Sequence, residues 1–381
     1  MPCHAPRPAP AGKPTKMSKN NPVAAYVYKN RLIAKRILAS LTRALPASWA
    51  RMLRTMAEKA AFRLTPEYQG DTLPPIFHYW SENHVAPLLK RHGFASPEDF
   101  YLKRIEAERT LKRRELRILS IGSGACHLEI ELVKKLRELG HNPHLECLDL
   151  NGALMRSAMQ AAEAAGVADG MSFTAVDANN LALPRTADVV IANQFLHHVE
   201  NLEGLASWVA QTLAPDGVLL TSDVIGRNGH LLWPSVEAIV QAHWSQLPAE
   251  KRLDRFTNKI TERYHAENHA AYSNEGIRAQ DIVGVLLEML DFEVFLTYSA
   301  AIIPFVERRI GFNFDPTSAA DCGFIERIAQ EDETHLRAGH YPAANMLAAL
   351  RPKGAVTSET FDPVSPGQHA SMIEREIRAL G

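Results

Sequence analysis

The feature that most constrains the fold is an alternation of short apolar runs with helix-like patterns that begins near Leu116. Five runs follow one another as RILSIG, LECLDL, MSFTAV, ADVVIA and GVLLTS. Between most of them, apolar residues recur at helical spacing, and two of these stretches close on a glycine, Gly140 and Gly166. Strands that alternate with helices indicate a parallel sheet covered by helices on both faces. We therefore predict an α/β fold with a doubly wound sheet.

Two later apolar runs, Phe292–Ser299 and Asn345–Lys353, raise the predicted strand count to seven. A helix is predicted near 319–337, and residues 227–290 are predicted to be mostly helical. The predicted organisation is a disordered basic tail over 1–22, a helical extension or lid over 23–114, a main domain over 115–353 with a helical insertion at about 227–290, and a tail with a short helix over 354–381.

Composition narrows the class of protein. Hydrophobic residues make up 46% of the chain and charged residues 22%, which is typical of a globular protein. No apolar run approaches the roughly eighteen residues of a membrane span, and no secretory signal is evident. We expect a cytoplasmic protein. Cys126 and Cys147 flank predicted strands and are expected to be buried thiols, and the absence of a CxxC pair argues against a zinc ribbon. No metal site is expected.

A glycine motif, Ser120-Ile121-Gly122-Ser123-Gly124-Ala125-Cys126, follows the first predicted strand. Glycine allows positive φ and lets a ligand approach the backbone closely. The start of the next helix offers free N–H groups there, at the place where doubly wound sheets bind ligands. A dinucleotide fingerprint would have a third glycine at position 127, and His127 stands there instead. NAD is therefore an unfavoured ligand.

Two aspartates end the next two predicted strands. Asp149 could accept hydrogen bonds from both ribose hydroxyls of an adenosyl group, or it could cap the helix that starts after Asn151. Asp177 could accept from an adenine amino group, or it could lie in a solvated turn. The sequence leaves both alternatives open.

A polar segment, Asn193-Gln194-Phe195-Leu196-His197-His198-Val199, follows the apolar strand ADVVIA. Polar side chains at this strand end face the ligand crevice of such a sheet. For each of the two histidines, the alternative is a helix-face residue that meets the core or solvent.

Together these motifs resemble the class I, Rossmann-like S-adenosylmethionine-dependent methyltransferases of the small-molecule type. The resemblance covers about 115–225 well and 285–353 loosely, and it implies that the last two strands pair antiparallel. S-Adenosyl-L-methionine is the implied cofactor. The implied cofactor-binding residues are Ser120, Gly122, Ser123, Gly124, Asp149, Leu150, Asp177, Ala178, Asn193 and Gln194. The chain departs from the family at Ser120, where an acid is usual, and at Cys126, where a third glycine is usual. The missing acid removes one expected contact to the methionine amino group.

Methyl transfer to a hydroxyl requires a base that removes the hydroxyl proton. The place of His198 resembles that of a histidine which phosphoethanolamine methyltransferases pair with an N-terminal tyrosine, so His198 is the predicted base. Tyr79 or Tyr28 is the candidate partner, although a buried aromatic is the competing interpretation of both. An amine acceptor would depend less on a base.

The acceptor pocket is expected between the N-terminal helices and residues 226–280. Candidate substrate-binding residues there are Arg227, His230, Trp233 and Arg278, since an arginine can clamp a carboxylate or a phosphate. The helical additions favour a small acceptor under a lid, with methylation of oxygen favoured over nitrogen or carbon. The sequence does not define the acceptor or the oligomeric state.

Other functions remain as alternatives. A non-catalytic binding module of the same fold would fit the departures at Ser120 and Cys126. An RNA methyltransferase would fit the basic N-terminus, but Asn193-Gln194-Phe195-Leu196 is not a nucleic-acid acceptor motif, so nucleic acid is a disfavoured partner.

The N-terminal charge is strongly asymmetric. Residues 1–64 contain thirteen Lys or Arg and one acid, Glu58, giving a net charge of +12. Because the whole chain carries −1, the remainder carries −13. Residues 23–45 combine cationic and apolar positions at helical spacing. They could dock on the acidic remainder or on an acidic partner, lie on an anionic membrane surface, or form a transit peptide.

Overall fold

The described part of the chain contains ten strands, and eight of them form one sheet. The computed structural model describes residues 73–177 and 186–381. The strands are β1 Arg117–Ile121, β2 His144–Asp149, β3 Met171–Ala175, β4 Ala187–Asn193, β5 Leu213–Val224, β6 Leu253–Asp254, β7 Lys259–Ile260, β8 Leu290–Tyr298, β9 Asn345–Pro352 and β10 Thr360–Asp362.

The main sheet has the order β10-β8-β9-β5-β4-β1-β2-β3, and β6 pairs with β7 in a separate hairpin. The strands from β5 to β3 run parallel, whereas β9 runs antiparallel to both of its neighbours. The predicted doubly wound α/β fold with a late antiparallel strand is confirmed. The count of seven strands is corrected to eight, because β10 adds a short parallel edge beside β8.

The central strands form because their side chains are apolar on both sides. In β4, Val189 and Ile191 pack into one hydrophobic cluster, while Val190 and Ala192 pack into a second cluster on the opposite face. Continuous apolar runs of this kind are typical of parallel strands covered by helices on both faces. Cys147 on β2 and Cys126 after β1 are buried free thiols, as expected.

Eleven α-helices are described besides short 3₁₀ turns. They are α1 Pro75–Trp80, α2 Ala86–Arg91, α3 Pro97–Lys112, α4 His127–Glu138, α5 Gly152–Ala164, α6 Leu202–Thr212, α7 Pro234–Gln246, α8 Ile282–Met289, α9 Ile303–Val306, α10 Ala319–Arg337 and α11 Pro366–Ala379. A π-helical turn, Ser81–Val85, joins α1 to α2. Helix α3 begins after Ser96, whose side chain caps it.

The expectation that 227–290 is mostly helical is wrong. Only α7 and α8 are longer than one turn there, and the chain between them forms 3₁₀ turns and the β6–β7 hairpin. A buried carboxylate explains part of this irregular path. Asp254 accepts backbone N–H groups of Phe256 and Thr257 at 2.8 and 3.1 Å, and it pairs with Arg309 at 2.6 Å. An aspartate that bonds the backbone two residues ahead favours a turn over a helix.

The C-terminal helix α11 packs onto the main domain. It buries Pro366, His369, Met372 and Ile373, and it lies against α8 and α7. Among the described residues, no helix has the length and apolar character needed to cross a bilayer.

Candidate active site

The glycine loop between β1 and α4 is tied to the neighbouring strand. Gly122 and Gly124 have φ of 65° and 55°. The backbone N–H groups of Gly122 and Ser123 donate to the carbonyl of Leu148 at the end of β2, at 2.8 and 3.2 Å. A Cβ at Gly124 would meet no heavy atom within 4 Å, so the loop opens to space there. At Gly122 a Cβ would lie 1.9 Å from the ring of Phe195, so that position requires glycine.

Asp149 lies beside this loop at the carboxyl end of β2. Its Oδ2 accepts the N–H of Gly124 at 2.9 Å, and its Oδ1 accepts the N–H of Asn151 at 2.7 Å. The side chain of Asn151 caps α5, so the helix cap belongs to Asn151 and not to Asp149. Leu150, with 40% of its surface exposed, adds an apolar side chain next to the carboxylate. The arrangement presents a fixed carboxylate and an apolar surface beside an open loop.

Ser120 is fully buried below the loop and donates to the Oε1 of Glu129 at 2.6 Å. Glu129, on α4, has only 2% of its surface exposed. Burial raises the pKa of the Glu129 carboxyl, and the hydrogen bond from Ser120 opposes this in part. A carboxyl group is thus present next to the position where the family carries its acid. The sequence analysis did not single out Glu129. Its helical spacing with Leu132, Val133 and Leu136 could have shown it as an acid on the buried face of α4.

The segment at the end of β4 is held by side chains from α3 and β5. Asn193 accepts from the hydroxyl of Tyr101, a buried residue of α3, at 3.1 Å. Gln194 has a φ of 51°, and its amide reaches the carbonyl and the hydroxyl of Ser222 on β5, at 3.3 Å each. These contacts place Phe195 on Gly122. The predicted cofactor residues of β1, β2 and β4 therefore meet at one edge of the sheet.

Asp223 at the end of β5 organises the histidines. It is fully buried, and its Oδ2 accepts the N–H groups of Phe195 and Leu196 at 3.0 and 2.7 Å. Its Oδ1 accepts from the Nδ1 of His197 at 2.6 Å. The other ring nitrogen, Nε2 of His197, lies 3.3 Å from the Oε1 of Glu275, in the loop before α8.

Glu275 joins three imidazoles. Its Oε1 also lies 2.9 Å from the Nε2 of His230, and its Oε2 lies 3.7 Å from the Nδ1 of His198. The rings of His197 and His198 are tilted by 39° with centroids 4.1 Å apart, and the ring of His269 lies 5.6 Å from that of His230. We call His197, His198, His230, Asp223 and Glu275 the histidine–carboxylate cluster.

The surroundings shift the pKa values of the two adjacent histidines in opposite directions. Burial disfavours the charged form of His197, but Asp223 and Glu275 outweigh burial and raise its pKa to about 10. Burial and the neighbouring charge of His197 lower the pKa of His198. Burial alone would raise the pKa of the Glu275 carboxyl, yet the hydrogen bonds from His197 and His230 hold it well below its usual range. His197 is thus a charged, locked residue, while His198 favours its neutral form.

Comparison with known proteins identifies the domain. Residues 112–280 match the family model described as a methyltransferase domain. This part of the chain therefore matches a methyltransferase domain. No curated protein matches the chain by sequence.

Solved methyltransferase structures show distant similarity to the chain. A methyltransferase from Mesorhizobium loti has 16% identity over 67% of this chain and 98% of its own, with a TM-score of 0.38. A putative sarcosine dimethylglycine methyltransferase from Galdieria sulphuraria has 13% identity over 68% of this chain and 86% of its own, with a TM-score of 0.37. Geranyl diphosphate C-methyltransferase from Streptomyces coelicolor A3(2) has 12% identity over 70% of this chain and 76% of its own, with a TM-score of 0.37.

Within the methyltransferase domain, Asp177 follows β3, directly before a stretch that the structure does not describe. Ala178, the next predicted cofactor residue, lies outside the described residues. So does Tyr28, one of the two tyrosines considered as partners of His198.

Tyr79 is engaged elsewhere. Its hydroxyl donates to Glu326 on α10 at 3.0 Å, and burial together with that carboxylate raises its pKa to about 12. No contact among the described residues supports the predicted pairing of Tyr79 with His198. The structure therefore favours a role for Tyr79 in joining α1 to α10.

All four predicted substrate residues contact other parts of the protein. Arg278 makes a two-pronged ion pair with Glu203 at 2.5 and 2.6 Å, and its Nε donates to Asp281 at 2.8 Å. Arg227 donates to a backbone carbonyl at 2.9 Å and lies over the ring of Trp233, which is 3% exposed. Both guanidinium groups already hold protein acceptors, and the arginine clamp stays a prediction. Only His230 of the four enters the histidine–carboxylate cluster.

Asp223 and Glu275 were missed by the sequence analysis. Asp223 ends the apolar run of β5, and a carboxylate directly after a buried strand was a usable signal. Glu275 lies in the irregular segment before α8, where no periodicity marks it.

Proposed function

We propose that this methyltransferase moves a methyl group from S-adenosylmethionine to a hydroxyl oxygen of a small molecule, with His198 as the base. The observation that carries the proposal is the contrast between neighbouring histidines at the end of β4. The side chain of His197 is 4% exposed and lies between two carboxylates, whereas that of His198 is 39% exposed. An accessible imidazole next to the cofactor loop suits proton removal from an incoming acceptor.

The chain offers a fitting cradle for the cofactor. Asp149 is held in place by two backbone N–H groups and retains lone pairs that can accept from the ribose hydroxyls. Leu150 offers an apolar surface to the adenine ring, and the open space above Gly124 leaves room for the backbone to approach the ligand. Asn193 and Gln194 border the same edge, and Asp177 follows the adjacent strand.

Glu129 is proposed to replace the acid that the family carries at the position of Ser120. Ser120 Oγ and Glu129 Oε1 are 2.6 Å apart, so the serine orients the carboxyl group under the loop. A cationic amino group that entered the loop would favour the ionised form of this carboxyl, because an opposite charge stabilises it. The departure at Ser120 therefore does not remove the anionic contact.

The sulfonium cofactor supplies an already activated methyl group. The task of the protein is then to position the acceptor, exclude water and take up the proton. The proposed acceptor-side residues are His198, His230 in the turn before α7, and His269 in the irregular segment between α7 and α8, whose ring lies 5.6 Å from that of His230.

The test is formation of S-adenosylhomocysteine by the full chain with a panel of phenolic, aliphatic hydroxyl and amine acceptors. With a hydroxyl acceptor, His198→Ala should lower turnover by about 10²–10⁴, because a positioned base contributes that much. Cofactor affinity should change little. His340→Ala, in the loop that follows α10, is the matched control and should leave turnover unchanged.

Two results would contradict the proposal. If His198→Ala keeps its turnover on hydroxyl acceptors, His198 is not the base. If methyl transfer occurs only with amines, and at equal rates in His198→Ala and His340→Ala, the acceptor atom is nitrogen and not oxygen. That result would leave the methyltransferase assignment intact.

A further inference from the structure

We propose that His197, His230 and Glu275 bind a divalent transition-metal cation. These residues offer two imidazole nitrogens and one carboxylate oxygen, all within 4.8 Å of one another. Two imidazoles and a carboxylate, with further positions open, form a known ligand set for Zn²⁺ and Fe²⁺.

The distances suit ligands of a single ion. Metal bonds to imidazole nitrogen and to carboxylate oxygen are about 2.0–2.2 Å long. Two ligands at octahedral or tetrahedral angles are therefore about 3.0–3.4 Å apart. Oε1 of Glu275 lies 2.9 Å from Nε2 of His230 and 3.3 Å from Nε2 of His197. Both separations are close to those expected around one cation.

A second carboxylate orients the buried ligand. Asp223 accepts from the Nδ1 of His197 at 2.6 Å, which leaves the Nε2 of that ring facing Glu275. A cation bound there takes the place of the proton that Nε2 carries in the charged ring, and the proton is released to solvent. Asp223 is itself fixed by backbone N–H groups of Phe195, Leu196 and Val224. A carboxylate behind a ligating histidine is the usual outer partner in metal sites, where it fixes the ring and raises its basicity.

The other two ligands face the open side of the cluster. The side chains of His230 and Glu275 are 27% and 39% exposed, so an ion could enter and keep coordination positions for water or for an oxygen ligand. Asp223 and Glu275 supply two negative charges that a divalent cation would balance. Two nitrogen donors favour a transition metal over Mg²⁺, which prefers oxygen ligands. The inference does not depend on methyl transfer.

The experiment is metal titration of the full chain after treatment with a chelator. Co²⁺ absorption in the visible range and calorimetry with Zn²⁺ should each show one equivalent, and Mg²⁺ should not compete at equal concentration. Glu275→Gln and His230→Ala should each weaken Zn²⁺ binding at least tenfold. His340→Ala is the matched control, because the Nδ1 atoms of His335 and His340 lie 2.8 Å apart and form a separate surface pair.

Three outcomes would contradict the proposed metal site. The protein could form no one-to-one complex with Zn²⁺, or Glu275→Gln and His230→Ala could both keep the original affinity. In the third, binding is lost in His340→Ala instead, which would place the ion at His335 and His340. His230 is partly exposed, so its variant should fold even if Glu275→Gln does not. Thermal denaturation without metal checks this, and the His230→Ala titration then decides.

Discussion

At the scale of single residues, identical side chains acquire different chemistry from partners that are distant in sequence. His197 and His198 are adjacent, yet only His197 reaches Asp223, and both depend on Glu275. The sequence predicted that this segment follows a buried strand and faces the ligand edge. It could not predict which ring is locked, because β5 and the irregular loop before α8 supply the carboxylates.

The cofactor cradle leads to a first prediction. Asp149→Ala should weaken S-adenosylhomocysteine binding at least tenfold. Two charge-assisted hydrogen bonds of about 1.5–3 kcal/mol each would be lost, and tenfold corresponds to only about 1.4 kcal/mol. Calorimetry measures the affinity, and Asp169→Ala, an exposed aspartate between α5 and β3, is the control. An unchanged affinity in a folded Asp149→Ala variant would remove the ribose assignment.

Glu129 provides the companion measurement in the same experiment. Glu129→Gln keeps a partner for the Ser120 hydroxyl but removes the carboxylate, so it should also weaken S-adenosylhomocysteine binding. Unfolding stability should be maintained, because the substitution buries no new charge. Adding Ser120→Asp returns an acid to the position that is usual in the family and should restore part of the affinity. Full affinity in Glu129→Gln alone would show that Glu129 has only a structural role.

At the scale of elements, the sequence predicts a strand or helix well when a local apolar pattern stabilises it, and poorly when contacts with distant residues do. The predicted strands agree with β1 to β4 to within one or two residues, because apolar runs buried on both faces have a strong pattern. The segment between α7 and α8 was predicted incorrectly, since side-chain contacts such as Asp254 to Arg309 decide its path. Strand β10 was also missed, as three residues are too few for a period to show.

The packing of α11 leads to a prediction about acid stability. His369 is fully buried, and burial lowers its pKa to about 4, against about 6.5 in an unfolded chain. The unfolded state therefore binds the proton more readily, and the stability that neutral His369 contributes is lost as pH falls from about 6.5 towards 4. The loss should amount to about 2–3 kcal/mol between pH 7 and pH 4.5.

Urea denaturation at both pH values measures this loss. His369→Gln can keep the hydrogen bond to the carbonyl of Ala343 but does not titrate, so its stability should fall less with acid than that of the original chain. Other carboxylates and histidines titrate in both proteins, so the difference between their losses of stability measures the contribution of His369. Equal losses would show that this histidine does not govern the acid stability of α11.

At the scale of the whole molecule, charge is divided unevenly along the chain. Residues 1–64 carry +12 and the rest carry −13. Opposite net charges within one chain favour an association between the two parts, although surface attraction of this kind weakens with salt. The N-terminal segment up to residue 72 lies outside the described residues, so its predicted tail, helix and membrane contact stay predictions.

Deletion of the N-terminal segment tests whether it docks on the remainder of the chain. Removing residues 1–22, which lack an apolar stripe, should leave solubility and methyl transfer unchanged. Removing residues 1–60 should lower both, because the apolar positions around Leu32 and Ile33 are expected to cover a hydrophobic surface while the basic positions offset the acidic remainder. Gel filtration and S-adenosylhomocysteine formation are the measurements. A monodisperse and fully active protein of residues 61–381 would contradict self-docking. Binding of the full chain to anionic vesicles that disappears at high salt would instead support a membrane contact, since surface charges are screened within about 10 Å at 0.1 M salt.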